Sequence, residues 1–402
     1  MTARVHYREI EGRGGAYWGL LALLGLFIAL GLASAWYMEH QGHWVTGMTN
    51  RVVWGMPHVF AVFLIVAASG ALNVASVASV FGRELYKPYA RLSGLLAAAL
   101  LAGGLAVLVL DLGRPDRLIV AMTHYNFKSV FAWNIFLYTG FLAIVAAYLW
   151  TMFERRMNAH TTPVGMAAFA WRLVLTTGTG SIFGFLVARD AYNGAILAPM
   201  FIAMSLAFGL AIFLLVLLAA ARGARRAIAG EVLARLRVLL AAFVASVLYF
   251  VAIQHLTNAY VARQHEVVRF FLLDGGAYTA IFWIGQVAVG GVLPLVLLLA
   301  PAWRKSHPML ALASACVVAG GLAQMYVLII GGQAYPQVVF PDHEVTSGAF
   351  DGVVASYSPS LPEVLLGLGG VALSLALTVV ALKLLPFLPQ AIADPALDPG
   401  AP

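Results

Sequence analysis

Apolar residues run along this chain in long blocks, and polar residues collect in the short gaps between them. Ten blocks reach about 20 residues, the length that crosses roughly 30 Å of hydrocarbon. They cover Ala16–Tyr37, Val52–Val80, Tyr89–Leu110, Val130–Met152, Val164–Ala188, Ile196–Ala221, Val238–Ala262, Gly276–Ala300, Met309–Ile330 and Leu361–Leu385. Lipid offers no partner for backbone N–H and C=O groups, so each block is expected to be a helix. The pattern predicts an all-α polytopic membrane protein of ten transmembrane helices. Helix lengths and loop spacing suit two four-helix bundles, spans two to five and six to nine, flanked by the first and last helices. Residues 1–388 are read as a single transmembrane domain and 389–402 as a disordered tail. The first span is too long for the core of a signal peptide and lacks a convincing cleavage site.

Charge sets an orientation. Sixteen Lys and Arg residues flank the span ends on the N-terminal side, seven flank the opposite ends, and Arg172 lies within span five. The positive-inside bias then puts both termini in the cytoplasm; the expected location is a bacterial inner membrane. The same bias accounts for the net charge of +7 without nucleic acid. Two outer loops, Asp111–Ser129 and Gly331–Ser360, are long enough to carry a partner, with Tyr335, Phe340 and Asp342 suited to an interface.

Composition removes whole classes. Hydrophobic residues make up 62% of the chain and charged residues 10%, against roughly 25% charged in soluble domains. The single cysteine, Cys316, cannot ligate an iron–sulfur cluster or attach a c-type haem alone. No P-loop sequence is present.

Polar residues inside spans are costly and are functional candidates by default. His58, Asp111, Arg114, Asn134, Arg189, Asp190, Gln254, His255 and Tyr260 collect at the outer ends. His58, Asp111 and His255 could hydrogen-bond a ligand or pass protons to it. The plainer readings are interfacial histidines and an ion-pair set of Asp111 with Arg114 and Arg117. His58 and His255 only roughly meet the facing positions that axial haem b ligation needs, so haem b is not expected. Arg172 is read first as snorkelling to the inner surface. The alternative places it with Asn73 and Ser76 on a proton path from the cytoplasm, which Gln286 and Gln324 could extend.

The strings LDLGRPDRL at Leu110–Leu118, HYNFKSVFAWN at His124–Asn134 and VVWGMPH at Val52–His58 resemble the NrfD or polysulfide-reductase membrane-subunit family, which includes PsrC- and HybB-like proteins. AYTAIFWIGQ at Ala277–Gln286 and LLPFLP at Leu384–Pro389 are similar to its ten-helix, hydrogenase-associated branch. TTGTGSIFGF at Thr176–Phe185 looks most like DsrP, the membrane subunit of DsrMKJOP complexes of sulfur metabolism. The resemblance implies a quinone-reactive subunit, using menaquinone or ubiquinone, without redox metal of its own. It implies a periplasmic ferredoxin-like iron–sulfur partner (DsrO-like), with a haem b membrane subunit and a c-type cytochrome further along the complex. The family site maps onto His58, Asp111 and Arg114, with Asn134, His255 and Tyr260 as further binding candidates. In the hydrogenase branch an Asp stands where His58 stands. The competing functions are a haem b electron-transfer anchor and an ion-translocating transporter, though Pro57, Pro199 and Pro294 do not fall at matching interruptions of two halves.

Overall fold

The computed structural model describes residues 6–338 and 352–390. Phe340, Asp342, Glu344 and Asp351 of the second outer loop, and the tail beyond Gln390, lie outside them. In chain order the long helices are α1 (Gly15–Gln41), α2 (Met56–Ser79), α3 (Glu84–Leu110), α4 (Val130–Phe153), α5 (Thr161–Gly184), α6 (Leu197–Gly223), α7 (Gly230–Tyr260), α8 (Ala277–Leu299), α9 (His307–Ala334) and α10 (Leu361–Leu384). Among the described residues nine are long and apolar enough to cross a membrane. The tenth, α5, has the length but carries Arg172 and the Thr/Gly/Ser run, which dilute its apolar character. The protein is a multi-pass integral membrane protein.

Tyr7–Arg8 pairs antiparallel with Leu388–Pro389. Both described chain ends therefore meet at one end of the molecule, the terminal end; the other is called distal. Helices α2 to α5 pack as one bundle and α6 to α9 as a second. The bundles join through α2 and α6, whose backbones touch: a Cβ on Gly70 would overlap the Ser205 carbonyl, and one on Gly209 the backbone of Ala71. Helix α10 lies on α2 and α3, and α1 packs mainly on α10. Helix α2 is the most enclosed, with nearly every residue buried.

Helix α2 is not continuous. It breaks at Leu72 into Met56–Ala71 and Asn73–Ser79. A break inside a membrane frees backbone groups that need partners. Ser93 of α3 supplies them, donating to the Ala71 carbonyl at 2.6 Å and accepting from the Ala75 amide at 3.0 Å. Tyr148 of α4 donates to the Ala75 carbonyl at 3.1 Å. Arg172 of α5 donates to the Ser69 carbonyl at 3.2 Å and to Asn73 Oδ1 at 3.1 Å. At 2% exposure Arg172 is inside the protein, so it does not snorkel.

Helix α7 begins at Gly230, eight residues before the apolar block that marks it in the sequence. Its first turns are held by an exposed Glu231–Arg235 pair and by Arg237, which donates to the Leu297 and Ser306 carbonyls. Charged residues can continue a helix past the lipid boundary, and hydropathy alone misses that extension.

Candidate functional site

Two short chain segments and two helix ends build a polar site at the distal end. Pro57 occupies the first turn of α2, where its missing N–H costs nothing. That start puts His58 in the opening turn. Helix α3 runs the other way and ends at Asp111, because Gly113 takes the left-handed φ of +70° and Pro115 follows. Antiparallel neighbours thus bring His58 and Asp111 to one depth. His58 Nδ1 lies 2.9 Å from Asp111 Oδ2, ion-pair distance. A third group joins them. His43, in the tight turn after α1, has Nε2 3.9 Å from Asp111 Oδ1.

The Asp111 side chain is 1% exposed, His58 19% and His43 29%. Despite the short distance, neither Asp111 oxygen, His58 Nδ1 nor His43 Nε2 makes a well-aligned hydrogen bond among the described residues. Geometry in range without alignment leaves these atoms free to answer a ligand. Trp54 stacks beside His58 with ring centroids 6.1 Å apart, and Phe131, Phe183 and Tyr192 surround Trp54. The pair therefore borders a wall of aromatic rings.

The segment leading into His58 is clamped from three sides. Gln333 of α9 accepts from the Val53 and Trp54 amides and donates back to the Trp54 carbonyl at 3.0 Å. Arg189 donates to the Gln333 and Arg51 carbonyls. Tyr357 accepts from the Met56 amide at 2.6 Å and donates to Glu363 Oε1 at 2.7 Å. Burial, and then the Glu363 carboxylate, hold the Tyr357 phenol well above its ordinary range, so it remains a donor. Glu363 is fully buried and also accepts from the Gly47 and Ser360 amides.

The structure separates the other candidates from this pair. Arg114 does not meet Asp111: its guanidinium makes two 3.1 Å bonds to Asp116, at the exposed surface. Each partner holds the other charged, raising Arg114 and lowering Asp116. Asn134 is buried between α4 and α5, donating to the Val130 and Gly178 carbonyls. Arg172 and Asn73 form the α2 staple, while Ser76 bonds only its own helix at Leu72. Tyr260 is 91% exposed and touches none of these groups. His255 lies in the second bundle, against Phe271 and Phe282, in a small pocket it shares with Gln254, Asn258, Gln286 and Gln324.

Sequence reasoning missed His43, Gln333, Tyr357 and Glu363, and gave Trp54 only within the VVWGMPH string. Of the four missed, only Glu363 carried a signal, the Ser360-x-x-Glu363 capping pattern. His43 comes to Asp111 from 68 positions away in sequence, through helix packing no local motif encodes.

The arrangement is a carboxylate between two imidazoles, set in an apolar wall, and it can take up and release protons. The protein is 29% identical over 397 residues to the "Hdr-like menaquinol oxidoreductase integral membrane subunit" of Archaeoglobus fulgidus, covering 98% of this chain and 99% of that protein. It is 27% identical over 418 residues to a dimethyl sulfoxide reductase membrane subunit named in Halobacterium salinarum, covering 96% and 94%. It is 26% identical over 314 residues to one of the polysulfide reductase polypeptides of Wolinella succinogenes, covering 71% of this chain and 96% of that protein. The sequence profile of the family "Polysulphide reductase, NrfD" matches residues 44–337, which takes in α2 to α9, the His58–Asp111 pair and the Gln333 clamp. The chain belongs to the polysulphide reductase NrfD family.

Proposed function

We propose that this chain is the quinone-reactive membrane subunit of a multi-subunit redox complex, with the His58–Asp111 pair as the reactive site. The observation that carries the reading is the placement of that pair: a buried carboxylate and a half-buried imidazole 2.9 Å apart, beside the Trp54 ring. A quinone needs an apolar slot for its ring and a few polar groups for its two oxygens. The aromatic wall and the unaligned polar atoms of His58 and Asp111 fit both needs. When bound, the quinone/quinol couple supplies two-electron, two-proton chemistry. Trp54 would pack against the quinone ring. His58, with Nδ1 2.9 Å from Asp111 Oδ2, would offer Nε2 to a quinone oxygen. Asp111 balances the charge on His58 as it gains a proton and takes that proton on when His58 gives it up.

The name of the Archaeoglobus relative, a menaquinol oxidoreductase subunit, supports a quinol partner. We take the sulfur-metabolism setting, with a DsrO-like iron–sulfur subunit on the periplasmic face, from the resemblance to DsrP. The Lys/Arg bias supports termini in the cytoplasm and a distal end in the periplasm. Next to the site, the segment 112–131 exposes Leu112, Ile119, Val120, Tyr125, Phe127 and Phe131. Its short helix Leu118–Thr123 buries nothing. An apolar patch of this kind beside the reactive site suits a docked electron-transfer subunit.

An azidoquinone photolabel on the purified complex tests the reading. Labelled peptides should contain Trp54–His58 or Val109–Gly113. Labelling confined to peptides around His255 and Gln286 would move the site to the second bundle.

A further inference from the structure

We propose that His43 is the proton relay of this site, passing protons between Asp111 and water at the distal surface. The inference rests on the reading of His58 and Asp111 given above. His58 and His43 stand at opposite oxygens of one carboxylate, at 2.9 and 3.9 Å. Exposure rises from 1% at Asp111 to 29% at His43. Asp111 has no path of its own to water, and the His43 ring bridges that distance. His43 Nε2 is buried and without an aligned hydrogen bond, although the rest of the ring reaches solvent.

The local backbone suits the role. Gly113 follows the end of α3 with φ +70°, and a Cβ there would come within 3.3 Å of the His43 ring. The imidazole can thus lie close over the turn that ends at Asp111. Helix α1 delivers it: Ala35 and Met38 are buried against Ala61 of α2, Val107 of α3 and Leu366 of α10. The family match begins at residue 44, so His43 and α1 lie outside the matched region. Helix α1 leads directly into His43 and so contributes a group to the site. The other charged groups nearby are Glu39, one turn earlier on α1 with a buried, unpartnered Oε1, and Arg114, which is committed to Asp116.

The proton steps balance without electrons. His58 Nδ1–H breaks as Asp111 Oδ2–H forms. The carboxyl group turns about its Cβ–Cγ bond, O–H breaks, and His43 Nε2–H forms. His43 then gives the proton on Nδ1 to water. A gap of 3.9 Å exceeds a direct hydrogen bond, and a small ring rotation or one bridging water closes it. The two electrons of quinol oxidation leave separately to an iron–sulfur protein. Reduction runs the same steps in reverse.

The test uses the assembled complex in nanodiscs, with His43→Ala and His43→Gln. Both variants should lose about a hundredfold in quinol turnover, the lower end of the usual range for a proton-transfer group. The KM should hold, the solvent isotope effect should rise, and imidazole should rescue His43→Ala. Infrared titration of the Asp111 carboxyl band should shift in His43→Gln at an unchanged melting temperature. Full turnover with an unaltered isotope effect and carboxyl band in both variants, while Asp111→Asn is inactive, would overturn the relay and leave the site standing. Full turnover in Asp111→Asn and His58→Ala as well would overturn the site itself. A loss in the His43 variants that imidazole does not rescue, with no change in isotope effect, would make His43 a structural residue only.

Discussion

The two helix bundles each hold a half-buried histidine near polar groups, and the two settings differ in kind. In the first bundle His58 meets a carboxylate, Asp111, at the distal ends of α2 and α3. In the second, the polar neighbours of His255 in a small pocket are amides, Gln254, Asn258, Gln286 and Gln324. His255 Nδ1 and Gln324 Nε2 are buried there without partners. The backbone differs too. Phe270–Asp274, Ile281–Val292 and Val327–Gly331 are π-helical, and all supply walls of the second cavity. Wider helical turns open space and often mark functional places. The first bundle has a break in α2 instead, closed by side chains from three neighbours. A carboxylate beside an imidazole makes a pair that can pass a proton between its members, whereas the amides around His255 offer its imidazole no such partner. The second pocket has room for water, and the first bundle holds the pair that the proposed two-proton reaction uses.

The largest expected effect breaks that contrast directly. Asp111→Asn keeps the shape and removes the titrating group. Quinone-dependent turnover in the assembled complex should fall by about 10²-fold or more. Gln286→Leu, in the second cavity, should change it by less than about threefold. If Gln286→Leu proves the more damaging, the reactive chemistry belongs to the second bundle and His255.

The clamp on the first site should give a smaller effect. Gln333→Leu orphans the Val53 and Trp54 amides and the Trp54 carbonyl together. Each unsatisfied buried group costs about 1–3 kcal/mol, less where water can enter. We expect a lower melting temperature and a several-fold rise in KM for quinol, because Trp54 is no longer held beside His58. A variant with unchanged melting temperature and KM would show that the segment holds its shape without Gln333.

Much of the fold is legible because lipid imposes one rule on every span: long, apolar and helical. The rule weakens at α5, where Arg172 and the Thr/Gly/Ser run make a buried helix more polar than its neighbours. The site is legible only in part. The motif around Asp111 and the Pro57–His58 entry mark two helix ends, and antiparallel packing does the rest. Sequence depth, however, says nothing of which way a side chain faces around the helix. Tyr260 and His255 share a helix end, yet one is in solvent and the other lines a cavity. Arg114 has acidic neighbours on both sides in sequence, Asp111 and Asp116. The helix stop at Gly113 turns it toward the latter.

Arg172 gives the smallest expected effect on turnover and the finest test of the first bundle. It has no acidic partner, and its bonds go to the Ser69 carbonyl and Asn73 Oδ1, on both sides of the α2 break. The Phe169 ring lies 4.9 Å from the guanidinium. These contacts describe a staple that closes a broken helix. Hydrogen bonds from a charged donor are worth about 1.5–3 kcal/mol each. Removing a buried charge returns part of that, since its desolvation cost disappears. Arg172→Gln should therefore lower the melting temperature by a few degrees and leave quinol turnover within about twofold. The proton-path reading makes the opposite forecast. Slowed turnover at unchanged melting temperature would put Arg172 and Asn73 on a path from the terminal end to the His58–Asp111 pair.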